Sequence, residues 1–107
     1  MRPNYKRPFK DFIKRAHKPL QLAIEDEVAD LCGDPYKGEQ KVGDLLGFYV
    51  WKFKFNRQQY LIAYRPPGKE QVVGDPEIEF LVVDFYKVGP HENFYDELKR
   101  YAKEERS

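Results

Sequence analysis

The stretch Tyr49-Val50-Trp51-Lys52-Phe53-Lys54-Phe55-Asn56-Arg57-Gln58-Gln59-Tyr60-Leu61-Ile62-Ala63-Tyr64-Arg65 decides the fold. Successive side chains of a strand point to opposite faces. Read that way, a strand from Leu46 to Phe55 puts Tyr49, Trp51, Phe53 and Phe55 on one face and Val50, Lys52 and Lys54 on the other. Asn56-Arg57-Gln58 reads as a turn. Gln59 to Arg65 reads as a second strand, with Leu61 and Ala63 alternating against Tyr60, Ile62 and Tyr64. Strands joined this closely pair antiparallel. The aromatic row has the look of a base-stacking stripe, but such rows are more often the inner face of a sheet, and it is assigned to the core.

Downstream, residues 66–77 hold three prolines and two glycines and read as a mobile loop. Glu79 to Val88 is apolar enough for a central strand, and Gly89-Pro90 breaks it. His91 to Glu104 reads as a helix with Phe94, Leu98 and Tyr101 on one side. Upstream, Pro8 to Ala16 has helical spacing through Phe9, Phe12, Ile13 and Ala16. Pro19 opens a second helix with the stripe Leu20, Ile24, Val28 and Leu31; Gly33 fits just past its end. The short connector suggests an antiparallel hairpin. Residues 34–45 read as loop, and a faint strand signal covers residues 2–7. The expectation is an α+β fold: a twisted antiparallel β-sheet packed against an N-terminal helix hairpin, with a C-terminal helix, in one domain spanning residues 1–107.

Composition narrows the function classes. With 107 residues, 41% hydrophobic and 16% aromatic, the chain can bury enough surface to fold. No apolar run approaches the roughly 18 residues of a membrane span. The N-terminus does not read as a signal peptide. The single cysteine, Cys32, makes no internal disulfide and no Cys-rich zinc site, so a cytoplasmic setting is expected. Net charge is +1, but it is unevenly spread: +6 over residues 1–18, −5 over 19–44, +5 over 45–69, −5 over 70–84 and zero beyond. A nearly neutral chain can therefore carry a local basic surface.

Two constellations bear on chemistry. Lys52 and Lys54 share a strand face at about 7 Å, where two ammonium groups repel unless an anion such as a phosphodiester lies nearby. A solvated sheet face is the commoner explanation of such a pair. His91 follows a Gly-Pro break at a helix start, where anions bind, and Tyr95 comes one turn later on the same side. Histidine is suited to proton transfer near neutral pH, but a surface histidine capping a helix fits equally. His17, in a basic connector with no acid partner in view, reads as structural or incidental. Glu70, Asp75, Glu77 and Glu79 read as a solvated loop and not as a metal site. No metal or cofactor is expected.

Gly43-Asp44-Leu45-Leu46-Gly47 running into Trp51-Lys52-Phe53-Lys54-Phe55, then Gln59-Tyr60-Leu61-Ile62-Ala63-Tyr64, then Gly89-Pro90-His91-Glu92-Asn93-Phe94-Tyr95, resembles the RelE/ParE superfamily of type II toxins over roughly residues 8–102. The resemblance implies a cytoplasmic toxin with a cognate antitoxin partner. RelE-type members enter the ribosome and cut mRNA without a metal, the RNA's own 2′-OH attacking the adjacent phosphate. On that likeness Lys52 and Lys54 match the catalytic lysine pair. His91 and Tyr95 match the histidine and aromatic of the YafQ-like branch, as proton donor and base-stacking group. Leu61 stands where RelE carries an arginine, and Arg57 and Arg65 are candidates to contact RNA in compensation. ParE-type members share the fold and inhibit DNA gyrase, so gyrase is the partner under the alternative reading. An inactive toxin fold that only binds is a third.

Overall fold

The structure, a computed structural model, describes residues 1–69 and 81–106. Among these, five strands form one sheet: β1 (Arg2–Tyr5), β2 (Glu39–Gln40), β3 (Tyr49–Phe55), β4 (Gln58–Arg65) and β5 (Val82–Pro90). Their order across the sheet is β1-β5-β4-β3-β2. The helices are α1 (Arg7–Arg15), α2 (Lys18–Gly33) and α3 (Phe94–Arg106), with a 3₁₀ turn at Gly43–Leu45. The expected loop beyond Lys69, the acidic group Glu70, Asp75, Glu77 and Glu79, and the expected start of the third long strand lie outside the described residues.

The antiparallel meander stands as the alternation implies. In β3 and β4, Trp51 faces Ile62, Lys52 faces Leu61 and Lys54 faces Gln59. The turn is one residue shorter than expected, because Gln58 already pairs with Phe55. Asn56 and Arg57 alone make it, at φ 50° and 67°. Positive φ at both central residues gives the twist that suits a two-residue hairpin. The whole sheet is mixed and not purely antiparallel, because β1 pairs parallel with β5, Arg2 opposite Val82 through Tyr5 opposite Phe85. A parallel partner needs a long crossover; here most of the chain supplies it.

Past Phe85, no strand among the described residues lies on the outer side of β5, and α1 packs along it instead. That covers an edge which would otherwise offer free backbone groups. It also explains why β5 runs on through Gly89 and Pro90 where a break was expected. Proline is tolerated at such an edge, and Gly89 leaves room for the Phe12 ring, 3.7 Å from where a Cβ would lie.

Each face of the sheet has its own core. On one, Phe9 of α1 and Leu20, Ile24, Val28 and Leu31 of α2 pack with Tyr49, Tyr60, Ile62, Tyr64, Phe85 and Val88. Trp51, Phe53 and Phe55 border that core, so the aromatic row is structural. On the other, Phe94, Leu98 and Ala102 of α3 pack with Val50, Leu61, Ala63 and Tyr86. A bulge at Ala63/Tyr64 shifts the register against β5, so Phe85 and Val88, three residues apart, serve the same core while Tyr86 serves the other. The tail of α3 is tied down by the Tyr86 hydroxyl, which donates to Glu105 at 2.8 Å, and by Lys6, 3.3 Å from the same carboxylate.

Two helix ends differ from expectation. Gly33 is the last residue of α2, and Asp34 at φ −149° caps it. α3 begins at Phe94, because Asn93 takes a left-handed φ of 60° and holds His91 in a preceding turn, its carbonyl accepting from the Phe94 N–H.

Tyr64 joins β4 to the loop before β2: its hydroxyl accepts from the Gly38 N–H at 3.0 Å. A Cβ at Gly38 would lie 2.5 Å from that oxygen, so only glycine fits. Burial pushes the Tyr64 phenol up to about 12 from its ordinary 10, although the Gly38 bond pulls the other way. A raised pKa means the neutral phenol stabilises the fold in full below pH 10, and the contribution fades as pH climbs towards the folded value. Urea titrations should show Tyr64→Phe about 1–2 kcal/mol less stable at neutral pH, through the orphaned Gly38 N–H. Above pH 10 the wild type should lose stability more steeply than the variant; parallel pH profiles would contradict this.

Candidate nucleic-acid interface

The hairpin register sets the geometry. Lys52 and Lys54 are exposed on the α3 side of β3, beyond the point where α3 covers the sheet. Their same-face neighbour Val50 is buried under α3 and Leu61 lies opposite Lys52. Leu61 is fully buried, so apolar packing fills the place opposite Lys52.

His91 approaches from the other side. Pro90 faces Tyr60, so His91 leaves the sheet at the level of Gln59, which itself faces Lys54. Two strand spacings then separate the backbones of His91 and Lys54, about 10 Å. The exposed His91 ring meets Tyr95 edge-on at 5.9 Å between centroids. Tyr95 packs at the border of the α3 core, so the ring that leads from His91 is half-buried and held. Arg57, in the turn one ladder step past Lys54, lies at the same end of the sheet.

Arg65 does not join them. It lies four residues beyond Leu61 on β4, about 13 Å along the strand. Its guanidinium stacks 5.1 Å above the Phe48 ring. The guanidinium also lies close to Gly47, whose φ of 94° favours glycine, at 2.9 Å from where a Cβ would lie.

A cation not picked out from the sequence does join. Lys41 continues past β2, its N–H donating to the Phe48 carbonyl. Its ammonium lies 4.9 Å over the Tyr95 ring and 3.1 Å from Glu39. Burial works against the Lys41 charge, but hydrogen bonds to Glu39 and Tyr95 outweigh it and hold its pKa above the ordinary value. With Lys99, one helical turn beyond Tyr95, it lines a groove of about 340 Å³. The i, i+4 spacing of Tyr95 and Lys99 was legible; the approach of Lys41 depends on a two-residue strand that no periodicity announces.

The end of the sheet therefore presents two open lysines, an imidazole against a tyrosine, and a second basic groove behind that tyrosine. Such an arrangement suits an anionic, base-bearing ligand.

Over residues 4–99 the sequence matches the ParE-like toxins of type II bacterial toxin-antitoxin systems. The chain belongs to that family. No curated protein matches it by sequence. Among solved structures it is similar to the E. coli RelBE toxin-antitoxin complex, with a TM-score of 0.59 and 15% identity, covering 85% of this chain and 96% of that one. It is also similar to the isolated E. coli RelE toxin, with a TM-score of 0.58 and 14% identity, covering 94% and 97% respectively. At such identities the likeness establishes the toxin fold and leaves the chemistry to the residues. Among the described residues no helix is long and apolar enough to cross a membrane.

The toxin's hairpin turn offers a direct check on the site's frame. Arg57 holds a left-handed conformation that costs a non-glycine residue about 1 kcal/mol. Arg57→Gly should raise stability in urea by roughly 0.5–1 kcal/mol, since Asn-Gly is the preferred pair for this turn. A loss of stability would mean that the arginine side chain supports the hairpin.

Proposed function

We propose that this toxin is a ribosome-dependent endoribonuclease that inhibits translation by cutting mRNA. The observation that carries the reading is the exposure of Lys52 and Lys54 on one face of β3, with Lys54 on the row beside which His91 leaves the sheet. The 2′-hydroxyl of the substrate gives up its proton to water as its oxygen attacks the adjacent 3′-phosphorus, the P–O5′ bond breaks, and the products are a 2′,3′-cyclic phosphate and a 5′-hydroxyl. Negative charge builds on the 2′-oxygen and on the non-bridging oxygens. Lys52 and Lys54 set two positive charges there. His91 gives a proton to the leaving 5′-oxygen. Tyr95 stacks on a base and fixes the strand, with Arg57 as an RNA contact at the turn. Because the nucleophile belongs to the substrate, the reaction needs no metal. Arg65, stacked on Phe48 at the other end of β4, contacts RNA only if the strand extends that far.

A cognate antitoxin follows from the family and from the RelBE complex that the fold resembles. An acidic segment that folds on binding would cover the lysines and switch the toxin off. The ParE-like family match favours a second reading, inhibition of DNA gyrase. The open lysine pair near His91 favours the nuclease reading, which gives each of these groups a role at the phosphate.

Induced expression with primer extension on cellular mRNA separates the readings. Wild type should cut within translated codons. His91→Ala and Lys52→Ala/Lys54→Ala should each lower cutting at least about a hundredfold, the usual share of one acid or electrostatic group. Growth arrest with intact transcripts and a DNA-damage response would transfer the assignment to gyrase. No arrest at all would leave a binding module.

A further inference from the structure

The most concentrated positive charge in the sequence lies outside the site just described. Residues 1–18 carry +6 in a chain whose net charge is +1. Arg7, Lys10 and Lys14 follow at three and four residues along α1 and so form one line on the helix, which Lys18 extends at the start of α2. All four are exposed, and none has an ion-pair partner among the described residues. The opposite side of α1 is committed to the core through the fully buried Phe9, with Phe12 and Ile13 packed against it. With no apolar side left to insert, α1 is not a membrane-surface helix. Four aligned and uncompensated cations favour a polyanion.

This line leads to the candidate site. His17, between Lys14 and Lys18, sets its ring 5.8 Å from that of Phe55. Phe55 stands between Lys54 and the Asn56–Arg57 turn. The other flank of α1 is less suited to a phosphate, because Asp11, Glu92 and Glu97 line the groove there beside Arg15 and Lys87.

We infer that Arg7, Lys10, Lys14 and Lys18 form a track for the sugar–phosphate backbone of an RNA strand that passes the His17–Phe55 contact and rounds the Asn56–Arg57 turn to reach Lys54 on the opposite face of the sheet. The inference rests on the proposed nuclease reading for its choice of RNA. Each backbone contact on a single strand adds about 0.7 to the slope of log affinity against log salt.

The test is fluorescence anisotropy with a 24-nucleotide single-stranded RNA, 2′-O-methylated so that no cleavage can intervene, and with a 4-nucleotide probe of the same chemistry. Arg7→Gln/Lys10→Gln/Lys14→Gln/Lys18→Gln should bind the long probe at least about tenfold more weakly at moderate salt, with a salt slope shallower by about 2–3. Its binding of the short probe should be unchanged. Lys52→Ala/Lys54→Ala should keep most of the length-dependent affinity. If the quadruple variant does not fold, Lys10→Gln/Lys14→Gln decides, with a slope change of about 1.4. Wild-type affinity and slope in a folded variant would overturn the track, and so would an equal loss on the short probe. Track-dependent binding of poly-glutamate without an effect on RNA would assign the face to an acidic protein segment. None of these readouts depends on cleavage, so a failed track with intact cutting of cellular mRNA, or the reverse, tells the two readings apart.

Discussion

Everything that brings chemistry to the surface of this toxin depends on the register between β3 and β4. The two-residue turn at Asn56 and Arg57 sets Phe55 opposite Gln58, and every pair up the ladder follows. Strand side chains have a period of two, so a slip of one residue would turn the lysines into the core and the aromatics into solvent. Core packing on both faces forbids that slip. Trp51, Phe53 and Phe55 border the core beneath α1 and α2, while Val50, Leu61 and Ala63 are buried under α3. Packing thus sets where Lys52 and Lys54 can be, and their exposure is a consequence of α3 ending its cover at Val50 and Leu61.

The same register connects the elements that bracket the site. Because Pro90 faces Tyr60, the chain leaves the sheet beside the Lys54 row, and the left-handed Asn93 turns it into α3. His91 and Tyr95 are therefore delivered by the one segment that must reverse direction there. Lys41 presses on Tyr95 from behind, held by Glu39. Contacts with the His91 imidazole and the Lys41 ammonium restrain the half-buried tyrosine. Leu61 is buried within the sheet, and the charged groups stand at its end and its flank.

The meander, the two early helices and the division of β3 into an aromatic and a lysine face were legible, because local periodicity encodes them. The likeness to the toxin family rested on the same segments and agrees with the family match. β1 was only faintly legible, since a four-residue strand with three exposed positions acquires its meaning from β5, some 80 residues away. The start of α3 was misplaced because helical spacing does not reveal the backbone reversal at Asn93. Gly33 looked like a helix stop, yet it has open space and no positive φ, so it simply remains helical. Lys41 had no local signal at all, because its contact with Tyr95 exists only once β2 has paired with β3. Arg65 seemed exchangeable with Arg57 as an RNA contact, but the strand length between them separates the two.

The central claim is that the Lys52–Lys54 face and His91 receive RNA together. Amide and side-chain NMR during titration with a 2′-O-methylated RNA trinucleotide tests it most directly. The account predicts that Lys52, Lys54, His91 and Tyr95 shift together along one saturation curve, while the interior of α2 stays still. Shifts confined to other surfaces, or His91 unmoved while the lysines respond, would contradict it.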